Sequence, residues 1–322
     1  MAARSYEVIV DVSARVDLDG ALRTAATVWL PERVDGPLTV LVAYPGGGYS
    51  RGYYDIDLLP GYSEAEYHAA QGFAFVACDH LGAGDSTACD PFDLTFERLA
   101  AADDATASSV VDRLRNGTLA DGVPPVAVER VIGLGQSMGG CLLTVQQARH
   151  RTFDAVGFLG WSGIGSNFPA PDGSRLTVPA PPRGADLREF AERALGAVAQ
   201  NLALIRYCFH AADEEAELVE ADLGSPADAL PRWRSAARPA AAASMMAPGV
   251  VADDAAAIDV PVLIACGDID VVPDPWAEPT AYRGSRDVSV CVVPRMCHMH
   301  NFARTREVLW DRVAAFARAV RT

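Results

Sequence analysis

Lysine does not occur anywhere in the 322 residues. Its absence excludes Walker-type phosphate binding, Schiff-base chemistry and every lysine nucleophile or base. Basic recognition is left to arginine. Positive charge is scarce as well: 27 cations stand against 42 aspartates and glutamates, a net charge of −15 (27 − 42). Long-range attraction to nucleic acid or to an anionic membrane is therefore not expected. The seven cysteines are odd in number and scattered, with no Cys-x-x-Cys pair. A disulfide scaffold or zinc ribbon is disfavoured, and reduced, mostly buried thiols fit better. No apolar run approaches the ~20 residues of a membrane span. The alanine-rich stretch Ala236–Ala257 comes nearest, but Arg238, Pro239, Pro248, Asp253 and Asp254 interrupt it. The opening MAARSYEVIVDVS lacks the apolar run of a signal peptide. The expected compartment is the cytoplasm.

What is present is the composition of a globular chain, 50% hydrophobic and 21% charged. Tyr6–Val12 and Leu22–Leu30 read as strands joined by a turn at Asp17–Gly20. Leu38–Tyr44 is almost wholly apolar, as strands covered on both faces are. Further strands are expected over Phe73–Cys78, Val128–Leu134, Ala155–Leu159, Pro261–Cys266 and Val288–Val293. Helices are expected over Ser63–Ala70, Thr95–Arg115, Met138–His150 and Thr305–Val320. This alternation predicts an α/β fold: a mostly parallel sheet with helices on both faces and an antiparallel N-terminal edge. Between Gly165 and Ile258 the rhythm breaks. A proline-rich loop (Phe168–Gly184) precedes helical patterns over Asp186–Phe209, Glu214–Leu223 and Asp228–Met246. The expected organisation is a core of residues 1–164 and 259–322 with a helical cap inserted at 165–258.

Gly-x-Ser-x-Gly occurs twice, at Gly135–Gly139 around Ser137 and at Gly48–Gly52 around Ser50. A nucleophile elbow needs a strand before the serine and a helix after it, so that the turn lifts the hydroxyl above the sheet edge. Ser137 has both. Ser50 follows Pro45 and three glycines, and no helix follows it. Ser137 is therefore the candidate nucleophile. The same glycines lack the third glycine and the acidic partner of a dinucleotide fingerprint. A serine hydroxyl needs a base, and the base an orienting carboxylate. Asp268 or Asp270 follows one late strand, and His298 or His300 follows the next. Two histidines are too few for a metal site, and no other cluster completes one.

These segments resemble the α/β-hydrolase superfamily of serine hydrolases, over most of the chain outside the insertion. Gly135-Gln136-Ser137-Met138-Gly139-Gly140 resembles the elbow of its esterases. Gly267-Asp268-Ile269-Asp270 resembles the family's acid turn and favours Asp270. Met296-Cys297-His298 resembles the turn before the last helix and favours His298, with Cys297 where glycine is usual. Asp79–Ser86 resembles the Asp-x-x-Gly-x-Gly-x-Ser loop. Pro45-Gly46-Gly47-Gly48 is similar to the His-Gly-Gly-Gly oxyanion loop, with proline replacing the bracing histidine. The resemblance implies a triad of Ser137, His298 and Asp270, an oxyanion hole from the N–H groups of Met138 and Gly47 with Gly48 assisting, and no cofactor or metal.

The expected reaction is cleavage of a neutral, hydrophobic small-molecule ester, lactone or thioester through an acyl-enzyme. Carbon–carbon bond hydrolysis and cofactor-free perhydrolysis would use the same triad. A ligand receptor keeping only the fold is the alternative of another class. Trp161, Tyr207 and Trp233 are expected in the pocket, with Arg51 or Arg206 as a polar anchor. Leu202, Leu204, Ile205, Phe209, Met245 and Met246 are expected to add an apolar roof, and Phe168 a wall. His68 and His150 are expected at the surface. The expected partner is a small apolar molecule, not nucleic acid or membrane, and a homodimer is left open.

Overall fold

The computed structural model describes residues 3–188, 190, 202–226 and 228–321. Its sheet has eight strands in the order β1-β2-β4-β3-β5-β6-β9-β10. They are β1 (Arg4–Asp11), β2 (Arg23–Leu30), β3 (Leu38–Tyr44), β4 (Ala74–Cys78), β5 (Val128–Gln136), β6 (Ala155–Leu159), β9 (Val262–Gly267) and β10 (Val288–Val293). A two-residue hairpin, β7 (Phe168–Pro169) and β8 (Arg175–Leu176), lies apart from the sheet. β1 pairs antiparallel with β2, and β2 with β4; all other neighbours are parallel. The core helices are α1 (Glu64–Ala70), α2 (Phe96–Asn116) and α3 (Met138–His150). The insertion carries α4 (Leu202–Phe209), α5 (Ala216–Gly224) and α6 (Ala252–Ala257), and the chain ends on α7 (Arg306–Ala319).

Side chains alternate across a strand, so a strand buried on both faces feeds two cores. In β3, Val40, Val42 and Tyr44 pack in the cluster that holds Leu99 and Val110 of α2 and Leu142 and Val145 of α3. Leu41 and Ala43 face the other way, with Ala65 and Ala69 of α1 and Leu309 and Val313 of α7. Each fully buried valine or leucine contributes about 1.5–3 kcal/mol. The helices begin where side chains satisfy their free N–H groups. Ser63 accepts from Glu66 N at 3.1 Å and Thr95 from Arg98 N at 3.3 Å. Gly117, left-handed at φ 68°, closes α2. His68, expected at the surface, is instead buried on α1 and stacked on Phe75 at 5.6 Å.

The helical cap is present, but one expected part of it is not a helix. Over Asp228–Met246 the structure holds only a short 3-10 turn, Ala240–Ala243. Pro231 and Pro239 interrupt a helix, and the chain between them takes an extended partner instead. Ser50 N donates to Trp233 O and Ser235 N to Gly48 O, each at 2.9 Å. The expected helix over Asp186–Phe209 is seen as α4; residues 189 and 191–201 of it lie outside the described residues.

Arg51, expected in the pocket, serves the fold. Its guanidinium bonds Asp79, Glu7 Oε2 at 2.8 Å and Asp85 Oδ2 at 2.7 Å. Asp79 is fully buried and also accepts from Arg51 N at 2.6 Å and Asp85 N at 2.9 Å. Asp79→Ala would strip these donors of their acceptor inside the protein. We expect a loss of about 3 kcal/mol in urea unfolding. A loss below about 1 kcal/mol would show that Glu7 and Asp85 suffice to hold Arg51.

Candidate active site

Ser137 stands between β5 and α3 with φ 52° and ψ −115°, a backbone that non-glycine residues rarely adopt. The turn is fixed on both sides: Ser137 N donates to Leu159 O at 2.9 Å, and Gly140 N to Ser137 O at 2.8 Å. The following glycine is required by contact, since a Cβ on Gly139 would lie 2.3 Å from Tyr44 O. Strain of this kind costs about 1–3 kcal/mol and persists where the surroundings over-determine it.

Ser137 Oγ lies 2.9 Å from His298 Nε2, and His298 Nδ1 lies 2.7 Å from Asp270 Oδ1. Asp270 and His298 are buried. The Asp270 carboxylate also accepts from Val271 N at 2.7 Å, Gly267 N at 3.0 Å and His300 Nε2 at 2.9 Å. Burial alone would raise its pKa, but the charge and hydrogen bond of His298, and then His300, hold it well below the usual carboxylate range. It is ionised at neutral pH. Gly160, at φ 58°, leaves room for this cluster. A Cβ there would lie 3.1 Å from Asp270 Oδ2, His298 Nδ1 and His300 Cε1 at once.

The neighbouring residues take other tasks. Asp268 accepts from Arg295 N at 3.0 Å and Met296 N at 3.2 Å, closing the turn that leads into His298. Gln136 Nε2 donates to His298 O at 3.0 Å and ties that loop to the elbow. Ser50 caps a 3-10 turn, accepting from Gly52 N at 3.2 Å, and its hydroxyl donates to Arg232 O at 2.5 Å. Among the described residues no group of three His, Cys, Asp or Glu is arranged to hold a metal ion.

A cavity of about 320 Å³ opens over Ser137. Gly47, Met138, Trp161, Phe168, Phe209 and His298 belong to its wall, and Ile205, Met245 and Met246 to its roof. Five of the residues expected in the pocket or its roof do not line it: Leu204, half-buried on α4, and four others. Trp233 is buried, its Nε1 donating to Asp222 Oδ1 at 2.9 Å and its ring packed on Phe302. Tyr207 is half-buried, its carbonyl accepting from Cys297 Sγ at 3.5 Å. Arg206 is exposed on α4, and Arg51 is held in the ion cluster described above. The cationic residues in the lining are Arg234 and Arg238, which the sequence reading did not select.

It also missed the brace of the glycine loop. Pro45 replaces the bracing histidine of the loop it resembles, and His80 reaches the loop from the next strand end. Its Nε2 donates to Pro45 O at 3.1 Å, and its Nδ1 faces the Asp103 carboxylate at 2.9 Å. The ring stacks on Tyr44 at 5.7 Å. Both ring nitrogens face acceptors, so the imidazole needs a second proton. Burial opposes that proton, but the charge and hydrogen bond of Asp103, with the Pro45 carbonyl and the charge of Asp79, together outweigh it and raise the His80 pKa. A signal existed in the sequence. Asp103 follows Leu99 by four residues and precedes Ala107 by four, a charge on the core face of α2.

Similarity searches bear on the fold. No protein-family model matches the chain, and no curated protein matches it. Solved structures do. An esterase from Thermogutta terrifontis superposes with a TM-score of 0.63 at 16% identity, over 98% of this chain and 100% of that one. A bromoperoxidase from Bacillus anthracis gives 0.63 at 15% identity, over 97% and 100%. The enol-lactonase of Burkholderia xenovorans LB400 gives 0.58 at 17%, over 92% and 96%. The chain has the α/β-hydrolase fold, and at these identities the likeness extends to the fold alone.

The His80 brace has a pH signature. Its native pKa lies above the unfolded value of ~6.5, so its stabilisation is full below that pH and is lost as pH rises through the native pKa. The melting temperature of the protein should exceed that of His80→Gln most near pH 6, with the gap closing in alkali. A gap constant from pH 6 to 10 would contradict a charged His80.

Proposed function

We propose that the protein is a serine hydrolase acting on small-molecule esters, lactones or thioesters. One observation carries this reading: the hydrogen-bonded chain Ser137–His298–Asp270 opens into a mostly apolar cavity. In the proposed reaction Ser137 Oγ attacks the carbonyl carbon and its proton passes to His298 Nε2. Asp270, already ionised, holds the Nδ1–H and stabilises the imidazolium. The oxyanion forms between the N–H of Met138, which as the first residue of α3 has no partner within the helix, and the N–H of Gly47. Gly48 N–H assists from the same loop. His298 then returns the proton to the leaving oxygen or sulfur, and water releases the acyl group by the reverse sequence.

The cavity supports a compact substrate with an apolar body, and the cap spanning about 165–258 would set its size, the core being 1–164 and 259–322. The likeness to an enol-lactonase makes lactones part of the substrate panel. All seven cysteines are free, which supports a reducing compartment such as the cytoplasm. No described helix is long and apolar enough to cross a membrane.

The test is a panel of p-nitrophenyl esters, thioesters and lactones with matched variants. Ser137→Ala, His298→Ala and Asp270→Asn should each lower kcat by about 10³-fold or more while circular dichroism stays unchanged, because the three act as a unit. Normal turnover in Ser137→Ala would refute the reading. Trp161→Ala should flatten the dependence of kcat/KM on acyl length. A chain-length profile identical to that of the unmodified protein would remove Trp161 from the acyl pocket.

A further inference from the structure

The cavity over Ser137 inverts the charge of the molecule around it. No described aspartate or glutamate lines it, whereas Arg234 and Arg238 both do, in a chain of net charge −15. The two arginines differ. Arg234 Nη1 donates to Asp222 O at 2.8 Å, lies 3.4 Å from Asp222 Oδ2, and its guanidinium covers the Tyr49 ring at 4.6 Å. Its charge is met by a buried carboxylate that His210 also bonds at 3.1 Å. Arg238 has no ion pair and no side-chain hydrogen bond with any described residue.

Arg238 lies along the glycine loop. A Cβ on Gly47 would be 3.6 Å from its Nε, and one on Gly48 would be 3.1 Å from its Nη2. Its guanidinium stays charged at neutral pH. Arg238 is exposed to solvent, and no described carboxylate of the cavity lining competes for its charge. Two polar atoms of the wall residues, Trp161 Nε1 and Ser166 Oγ, are buried without partners.

We propose that the substrate carries its own carboxylate, bound by Arg238, beside the apolar body that fills the rest of the cavity. A half-ester of a dicarboxylic acid, or a lactone with a carboxylate side chain, has this chemistry. The chemistry of cleavage rests on the serine-hydrolase reading; the anion site does not. The inference departs from the neutral substrate expected from sequence, because the arginines that line the cavity with Ser137 are Arg234 and Arg238, not Arg51 or Arg206, and Arg234 is already paired with Asp222.

The first measurement compares mono-p-nitrophenyl adipate with p-nitrophenyl hexanoate, esters of equal acyl length that differ in one charge. The protein should favour the adipate in kcat/KM by about tenfold or more. Arg238→Met should bring that ratio to about one or below, and Arg238→Lys should keep part of it. A ratio of one in the unmodified protein would overturn the proposal. So would a preserved ratio in Arg238→Met, even with both rates lowered, since Arg238 would then serve the loop and not the substrate charge. The second measurement needs no turnover. Adipate, titrated calorimetrically into Ser137→Ala, should bind about tenfold or more tighter than into Ser137→Ala/Arg238→Met. If the unmodified protein cleaves no ester at all, the hydrolase reading fails and this titration still decides the anion site: equal affinities overturn it.

Discussion

Asp270 lies three residues beyond β9 with both carboxylate oxygens committed: Oδ1 to His298 and Val271 N, Oδ2 to His300 and Gly267 N. A carboxylate taken out of water at this depth is tolerated only with such a set of donors. The arrangement fixes more than a charge. It orients the His298 ring so that Nε2 meets Ser137 Oγ, and it anchors the chain between β10 and α7. Asp268 performs the complementary task on the same two segments, holding the backbone of Arg295 and Met296. Two aspartates in one turn therefore divide the work, one binding the ring and the other the loop that carries it.

The second constraint is the attachment of the cap to the glycine loop. The strand-like segment Trp233–Ser235 pairs with Gly48 and Ser50, while His298 N and Met299 N donate to Cys208 O and Phe209 O at the end of α4. Both sides of the site thus share backbone hydrogen bonds with the insertion. Beneath the loop, His80 holds the Pro45 carbonyl. A movement of the cap would be felt at the N–H groups of Gly47 and Gly48 and at the His298 loop together, which couples the shape of the pocket to the geometry of the serine centre.

Much of this was legible in the sequence where local pattern and tertiary fold agree. The wholly apolar β3, the helix after Ser137 and the order of Ser137, Asp270 and His298 each follow from short-range signals. The rest depended on partners far along the chain. Asp228–Met246 has helix-favouring alanines, but two prolines and an open edge at Gly48–Ser50 decide its conformation. Arg51 lies close in sequence to the glycine loop and looked like a substrate anchor; its carboxylates come from residues 7, 79 and 85. Arg238 is hidden in an alanine-rich run, and only the folded cap brings it to the cavity. His300 stood in the sequence only as the alternative to His298, and the structure places it on the same carboxylate as His298.

The central claim is that Ser137 is a nucleophile activated by His298. Its most direct test is mass spectrometry of the intact protein treated with a fluorophosphonate, followed by peptide mapping. The account predicts one adduct per chain, on the peptide containing Ser137, and no adduct on Ser137→Ala or His298→Ala. An adduct that maps to Ser50 or another residue, or labelling that persists in His298→Ala, would contradict it.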